Sequence, residues 1–177
     1  MYVDNDIKIA GDKPSVDIEK NRKKEKDEVI IPKSQIARAK QIGKEVALIY
    51  IDDVKSESEN GDNAELIMQR QLLLSFTATI CFEQYLESDA ATGIAQKSFL
   101  DTVKAYDAKL YLTSSDTGAF SFYYLAYRRG GDIERRIGQT FAMLCSHDGD
   151  PIFQELGEAL YCWFSSEVKK VMKEKTD

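Results

Sequence analysis

The only histidine of this 177-residue chain lies in a short stretch whose side chains could bind a metal ion or take part in catalysis. His147 lies in LCSHDGDP, residues 144–151, beside Cys145, Asp148 and Asp150. Imidazoles, thiolates and carboxylates bind metal ions, and a thiolate next to a base can act as a nucleophile. The stretch therefore raises three hypotheses: a calcium loop, a zinc site and a cysteine–histidine catalytic pair.

The spacing of the residues excludes a calcium loop. Such a loop places oxygen ligands at fixed offsets around a glycine at its sixth position. With Gly149 at that position, the first ligand would be Leu144, which has no side-chain oxygen. With Gly61 there, Ser56 would stand first and Ile67 would stand at the twelfth position, where a carboxylate is needed.

Too few ligands are present for a zinc site or a cysteine hydrolase. Zinc needs three or four ligands, which are drawn mainly from histidine and cysteine and usually come in closely spaced pairs. The chain offers one histidine and three scattered cysteines, Cys81, Cys145 and Cys162. No local signature of a catalytic cysteine accompanies them, and a buried cysteine behaves as a small apolar residue. We therefore predict no metal ion, no cofactor and no catalytic residue.

Helix-end chemistry explains the whole LCSHDGDP stretch. Leu144 is the last core residue of one helix. His147 lies in the final turn of that helix, where its side chain can bond terminal carbonyls and interact with the negative end of the helix dipole. Gly149 supplies a positive φ. Asp150 caps the next helix, and Pro151 takes its first position, where no N–H is needed. We therefore predict a corner between two helices.

The remaining sequence predicts helices joined by short polar loops. Apolar residues recur at steps of three and four, and no segment shows the sustained alternation of a strand. The first helix is predicted to begin at Pro32 and Ser34 and to end at the polar stretch KSESENGDN. Four further helices are predicted at about 64–88, 90–112, 115–129 and 151–174, and another, before the last of these, carries Ile133, Ile137, Phe141 and Leu144 at helical spacing. We therefore predict a single all-α, bundle-like domain of about six helices over residues 33–177.

The first two predicted helices carry specific packing signals. Apolar side chains occur nearly all round the second helix from Leu72 to Phe82, which predicts a central, buried helix. Asn63 is placed to cap that helix. Gly43 stands in the apolar stripe of the first helix, where the absence of a Cβ atom allows another helix to come close.

Residues 1–32 differ from the rest and are predicted to form a charged, mobile or loosely attached arm. VDIEKNRKKEKDEVIIP mixes both charge signs and has no sustained apolar period. The basic run KNRKKEK, residues 20–26, would suit nucleic-acid binding, but the acidic residues close to it disfavour that interpretation.

Composition excludes several classes of function. The formal net charge is −6, whereas a sequence-independent nucleic-acid binder needs a cationic face. No apolar run has the length of a membrane span, and the first residues lack the apolar core of a secretory signal. An odd number of cysteines without short-range pairs argues against a disulfide framework. We therefore expect a cytoplasmic protein that binds neither nucleic acid nor membranes.

Four arginines bracket a glycine turn in YYLAYRRGGDIERR. Arg128 and Arg129 end one predicted helix, where cations complement the helix dipole. Arg135 and Arg136 begin the next helix, at an end that is already positive. Asp132 is placed to cap that helix and offsets part of this cost. Guanidinium groups beside free N–H groups could hold an anion or an acidic partner.

Aromatic residues predict a second candidate site. Tyrosine combines an apolar body with a polar tip, and such residues line ligand pockets and protein interfaces. Phe122 and Leu125 lie on a different side of the fourth predicted helix from its tyrosines, so this helix is enclosed or shares an interface. The residues predicted for a pocket or interface are Phe76, Phe82, Tyr123, Tyr124, Tyr127 and Trp163.

No phosphate-binding loop, dinucleotide fingerprint or hydrolase elbow is present in the sequence. The leading hypothesis is a non-enzymatic, cytoplasmic helical module. It would bind another protein, or a second copy of itself in a homodimer, through the tyrosine-rich fourth helix and the arginines. The alternative hypothesis is a sensor of a small-molecule ligand, with a pocket between helices. A more distant third is an enzyme whose site is assembled only in three dimensions.

Overall fold

The computed structural model describes residues 32–60 and 63–175. All regular structure in these two ranges is α-helical, which confirms the predicted all-α class. Their seven helices are α1 (Lys33–Asn60), α2 (Ala64–Tyr85), α3 (Asp89–Tyr106), α4 (Ala108–Ser114), α5 (Thr117–Arg128), α6 (Ile133–Leu144) and α7 (Pro151–Glu174). The arm predicted for residues 1–32 lies, apart from Pro32, outside the described residues. No helix in the two ranges combines the length and the apolar character that are needed to cross a membrane.

Side-chain caps fix where most of these helices begin. The predicted caps Asn63, Asp132 and Asp150 are confirmed, because each accepts a hydrogen bond from a backbone N–H in the first turn of its helix. Ser88 and Asp107 do the same for α3 and α4. An N-cap of this kind stabilises a helix by about 1 kcal/mol. The polar residues between the apolar stripes therefore set the helix boundaries.

The single helix predicted for residues 90–112 is wrong, because this segment forms two helices. Asp107 between them has an extended backbone, with φ −152° and ψ 125°. Its N–H still donates to the Val103 carbonyl at 2.9 Å, while its carboxylate accepts from the Leu110 N–H at 2.6 Å. Asp107 thus closes α3 and opens α4, since aspartate bonds to nearby backbone groups and favours caps over helix interiors.

The first helix runs further than predicted. The stretch KSESENGDN, predicted to be a loop, is helical as far as Asn60. Arg70 of α2 donates to both carboxylate oxygens of Asp53, at 3.0 and 2.6 Å, and its Nη1 lies 3.4 Å from a Glu57 oxygen. Bidentate pairs of this kind are strong and directional, so they hold the last turns of α1 against α2.

Helix α2 lies at the centre of the fold, as predicted. It packs against each of the other six helices in the described ranges. Every residue from 72 to 78 is buried, and Phe76 and Phe82 are fully enclosed. A helix that is apolar all round has no face suited to water, so its neighbours surround it.

Three glycines allow neighbouring helices to approach closely. A Cβ atom on Gly43 of α1 would overlap the Ala95 carbonyl of α3, which confirms the close approach predicted for Gly43. A Cβ atom on Gly138 of α6 would overlap the Gln154 carbonyl of α7, and one on Gly157 of α7 would overlap the side chain of Phe141 in α6. These crossings belong to the two most extensive helix pairs, α1 with α3 and α6 with α7.

A small polar network joins α1, α2 and α4 inside the core. The hydroxyl oxygens of Tyr50 and Ser114 are 2.9 Å apart, and the Ser75 hydroxyl donates to the Ser114 carbonyl at 2.8 Å. Burial raises the pKa of Tyr50, so its hydroxyl stays protonated. Because α4 has only 7 residues, these bonds fix an element that is too short to be stable alone.

Candidate functional site

The corner between α6 and α7, residues 144–151, uses backbone hydrogen bonds to end α6. Ser146 has a positive φ of 61°, and its N–H donates to the Met143 carbonyl at 3.1 Å. The N–H of His147 donates to the Ala142 carbonyl at 2.8 Å. This pair of bonds is a Schellman motif, which satisfies carbonyls that a helix end leaves unpaired.

The imidazole of His147 takes part in packing. It stacks on the ring of Phe153, with 3.7 Å between centroids and 8° between planes. Its Nδ1 lies 3.9 Å from a carboxylate oxygen of Asp150, the cap of α7. The backbone N–H of His147, rather than its side chain, meets a terminal carbonyl, which corrects the sequence-based expectation. Gly149 has a φ of 79° and Pro151 opens α7, as predicted.

The cysteine at this corner is poorly suited to nucleophilic or metal chemistry. Burial, with a contribution from nearby Glu65, raises the pKa of Cys145 to about 11. Burial also raises the pKa of Cys81 to about 11. Because the thiolate is both the nucleophile and the metal ligand, such thiols are nearly inert at neutral pH. Within residues 32–60 and 63–175, no group of three or more His, Cys, Asp or Glu could hold a metal ion.

The four arginines at the corner between α5 and α6 form no ion pair with a carboxylate in the described part of the chain. Arg128, Arg129 and Arg135 are exposed, and Arg136 is half-buried. None of them forms an ion pair with another of the described residues. Arg128 lies over the ring of Tyr124, with its guanidinium carbon 5.6 Å from the ring centroid.

The other two arginines in the described ranges each meet a carboxylate. Arg70 forms the bidentate pair with Asp53, and Arg38 lies 3.8 Å from a Glu87 oxygen. A guanidinium carries five N–H donors and no acceptor. The N–H donors of the corner arginines therefore remain available to a partner, whereas those of Arg70 bond within the fold.

Glycines build the turn that separates the two arginine pairs. Gly130 and Gly131 have φ values of 66° and 73°, a region that costs other residues about 1–2 kcal/mol. Asp132 then caps α6 by accepting from the Arg135 N–H at 3.2 Å. This turn brings Arg129 and Arg136 to the same shallow cavity, which has a volume of about 180 Å³.

Exposed apolar side chains adjoin these arginines. Phe122 and Leu125 are 49% and 60% exposed, so this side of α5 is not enclosed by the described residues. They share a helix face with Arg129, since residues three and four apart lie on one side of a helix. Met143 of α6 and the exposed Asp148 line the cavity together with Arg129 and Arg136, and Asp148 forms no ion pair with either arginine. We call Phe122, Leu125, Arg129, Arg136 and Met143 the arginine face.

Six aromatic residues were predicted to form a pocket or interface, and four of them do not share a common site. Phe76 and Tyr123 are fully buried and stacked on each other, with centroids 5.2 Å apart. Tyr127 is half-buried, and its hydroxyl accepts a hydrogen bond from the Gln84 amide. Trp163 is 39% exposed on α7.

The other two, Phe82 and Tyr124, line one groove. It lies between α2, α3, α4 and α5, and its volume is about 250 Å³. We call it the α2–α5 groove. Its lining residues are Thr79, Phe82, Glu83, Gln96, Phe99, Leu100, Ser114, Ser115, Phe120 and Tyr124. Sequence periodicity missed most of them, because a groove among four helices depends on the rotation of each helix about its axis.

The fold and these two surfaces define an all-α domain with an exposed arginine face and a groove between helices. Comparisons of the chain with protein-family models, with curated proteins and with solved structures found no match. A function must therefore be inferred from the side chains themselves.

Proposed function

We propose that the protein is a non-enzymatic, cytoplasmic helical module that binds an acidic protein partner through the arginine face. One observation carries this proposal: the four corner arginines have no carboxylate partner within the described residues, and they stand beside exposed Phe122 and Leu125. Arginine and aromatic residues are enriched at protein interfaces, where a few of them dominate the binding energy.

The chemistry of the arginine face selects the kind of partner. Guanidinium groups form bidentate hydrogen bonds with carboxylates, with more geometric specificity than an ammonium group provides. Burying the exposed apolar side chains would add roughly 25 cal/mol per Å² of apolar surface. The best match is a protein segment that carries leucine-like side chains flanked by aspartate or glutamate.

A second copy of the chain is the weaker candidate for this surface. A two-fold dimer brings the same surface patch onto itself. Two arginine faces in contact would place like charges together, and such juxtapositions cost several kcal/mol. An acidic surface on a different protein meets the same groups with opposite charge.

Free thiols support the cytoplasmic part of the proposal. Cys81 and Cys145 are buried, Cys162 is exposed, and all three are free. Free cysteines are typical of proteins in a reducing compartment.

The test uses fluorescence anisotropy of three labelled peptides with the full chain. The first peptide carries leucine and glutamate at helical spacing, the second replaces glutamate with glutamine, and the third replaces leucine with serine. We expect the first peptide to bind at least about tenfold more tightly than either of the others, because charge and apolar contact act together. Added salt should weaken its binding, since exposed charges are screened.

Matched variants locate the binding surface. Arg129→Glu with Arg136→Glu should reduce affinity for the first peptide at least about tenfold. The control is Lys40→Glu with Lys44→Glu, which makes the same change in net charge on exposed positions of α1. Equal losses in the two double variants would contradict the proposal. Sedimentation provides a second check. A concentration-dependent dimer that is lost in the arginine variant but not in the lysine variant would also contradict the proposal.

A further inference from the structure

The α2–α5 groove has a preformed aromatic wall. Phe120 and Tyr124 both meet the buried ring of Phe76 edge to face, with centroids 5.9 and 5.2 Å apart. Phe82 meets Phe99 in the same manner at 6.2 Å. Because rings of the core hold the rings of the groove, the shape of the groove exists before any ligand enters.

Hydroxyl groups around the groove offer acceptors rather than donors. The Tyr124 hydroxyl donates to the Glu83 carboxylate at 3.0 Å. The hydroxyls of Thr79 and Ser115 donate to backbone carbonyls one turn earlier, at 3.1 and 2.8 Å. A hydroxyl has one hydrogen to donate and two lone pairs. These oxygens therefore present lone pairs to a molecule in the groove.

The charge of the groove is negative. Glu83 is the only Asp, Glu, Lys, Arg or His among its lining residues. Its second carboxylate oxygen has no hydrogen-bond partner among the described residues. Burial, together with the hydrogen bond to Glu83, raises the pKa of Tyr124 to about 12, so the phenol remains a neutral donor. Arg128 lies over the Tyr124 ring but does not line the groove.

We propose that the α2–α5 groove binds a small organic ammonium ion with an aromatic or alkyl body. The ammonium group would donate to Glu83 and to the hydroxyl oxygens, while its body contacts Leu100 and Phe120. Aromatic faces add a further attraction for a cation. The volume of about 250 Å³ lies below the roughly 300–1,000 Å³ of drug-sized sites, which favours a single ring or a short chain. This site does not depend on the proposed binding of an acidic partner.

The test compares three ligands that share one aromatic body. Phenethylammonium, phenylethanol and phenylpropionate have a positive, a neutral and a negative head group, and each is titrated into the isotope-labelled full chain. We expect saturable shifts of α2 and α5 backbone amide signals with phenethylammonium. Phenylethanol should bind at least about tenfold more weakly, because a charge-assisted hydrogen bond is stronger than a neutral one. Phenylpropionate should bind more weakly still.

Two exposed glutamates provide a matched pair of variants. Glu83→Gln should weaken phenethylammonium binding about tenfold. Glu87→Gln, one turn later, should leave it unchanged, because Glu87 faces Gln35 and Arg38 of α1. The proposal is overturned if phenethylammonium does not bind, if the three ligands bind equally, or if the two variants behave alike. Circular dichroism of both variants confirms that the chain remains folded.

Discussion

The two corners that flank α6 use the same backbone design with different side chains. Each ends a helix with a residue at positive φ, Gly130 at 66° before α6 and Ser146 at 61° after it. Each then caps the next helix with an aspartate. At the α6–α7 corner, His147 stacks on Phe153 and Asp150 caps α7, while Asp148 is exposed. The α5–α6 corner keeps four arginines without a carboxylate partner in the described ranges.

This contrast shows that helix-end bonding decides which polar side chains stay available to a partner. Histidine, cysteine and aspartate are the residue types most often found in catalytic and metal sites, yet here His147 packs on Phe153, Cys145 lies buried and Asp150 caps α7. The arginine side chains make none of the hydrogen bonds of the α5–α6 turn, because Gly130 and Gly131 supply its backbone conformation and Asp132 bonds to a backbone N–H.

Thiol labelling tests the inert character of the α6–α7 corner. With a pKa of about 11 instead of the ordinary 9.0, Cys145 holds about a hundredfold less thiolate at neutral pH. We expect a thiol reagent to label exposed Cys162 first in the folded protein, and Cys145 and Cys81 only on unfolding or as the pH approaches 11. Mass spectrometry of the labelled peptides measures the order. Fast labelling of Cys145 at neutral pH would remove the distinction between the corners.

Substitution at Gly138 tests whether α6 must lie close to α7 to present both corners. Gly138→Ala places a Cβ atom on the Gln154 carbonyl, and we expect the free energy of unfolding to fall by about 2–3 kcal/mol. Gly93→Ala is the control, because a Cβ atom there meets nothing within 4 Å. That variant should gain up to about 1 kcal/mol, the helix-propensity difference between glycine and alanine. Urea denaturation measures both, and equal effects would contradict the close crossing.

A reciprocal exchange at the two helix ends tests their shared backbone design. Ser146→Gly should raise the free energy of unfolding by about 1 kcal/mol, because glycine tolerates positive φ. Gly130→Ser should lower it by a similar amount, since a Cβ atom there meets nothing within 4 Å and the conformational cost remains. Thermal and urea unfolding of the two variants and of the double exchange provide the measurement. A loss of stability in Ser146→Gly would indicate a specific role for the serine side chain.

Removal of one arginine tests whether the α5–α6 corner contributes to stability. Arg135 lies in the first turn of α6, where the helix dipole disfavours a cation. Arg135→Ala should leave the free energy of unfolding unchanged or raise it by a few tenths of a kcal/mol, with a smaller effect at high salt. Urea denaturation at two salt concentrations measures this. A clear loss of stability would show that the guanidinium has a structural task.

Local chemistry explains why much of the fold could be predicted. The caps at Asn63, Asp132 and Asp150 were predictable, because a cap depends on residues within one turn of it. The central place of α2 followed from its lack of a polar face. The break at Asp107 was missed, because an aspartate on the polar face of a helix looks the same whether it faces water or caps the next helix.

The parts that could not be predicted depend on the rotation and contact of whole helices. Helix α5 has aromatic residues on more than one side, so its sequence could not say that Tyr123 is buried and Phe122 exposed. The positive φ of Ser146 was unexpected, because serine has no preference for it and the Schellman bonds impose it. The α2–α5 groove brings together residues from four helices, and helical periodicity gives no distance between them.

The central position of α2 also determines how the domain unfolds. Because α2 has neighbours on all sides, the loss of any one neighbouring helix exposes part of its apolar surface to water. Partial opening is therefore costly, and the helices around α2 are coupled into one cooperative unit. Amide hydrogens in the middle of α2 should exchange with solvent only when the whole domain unfolds.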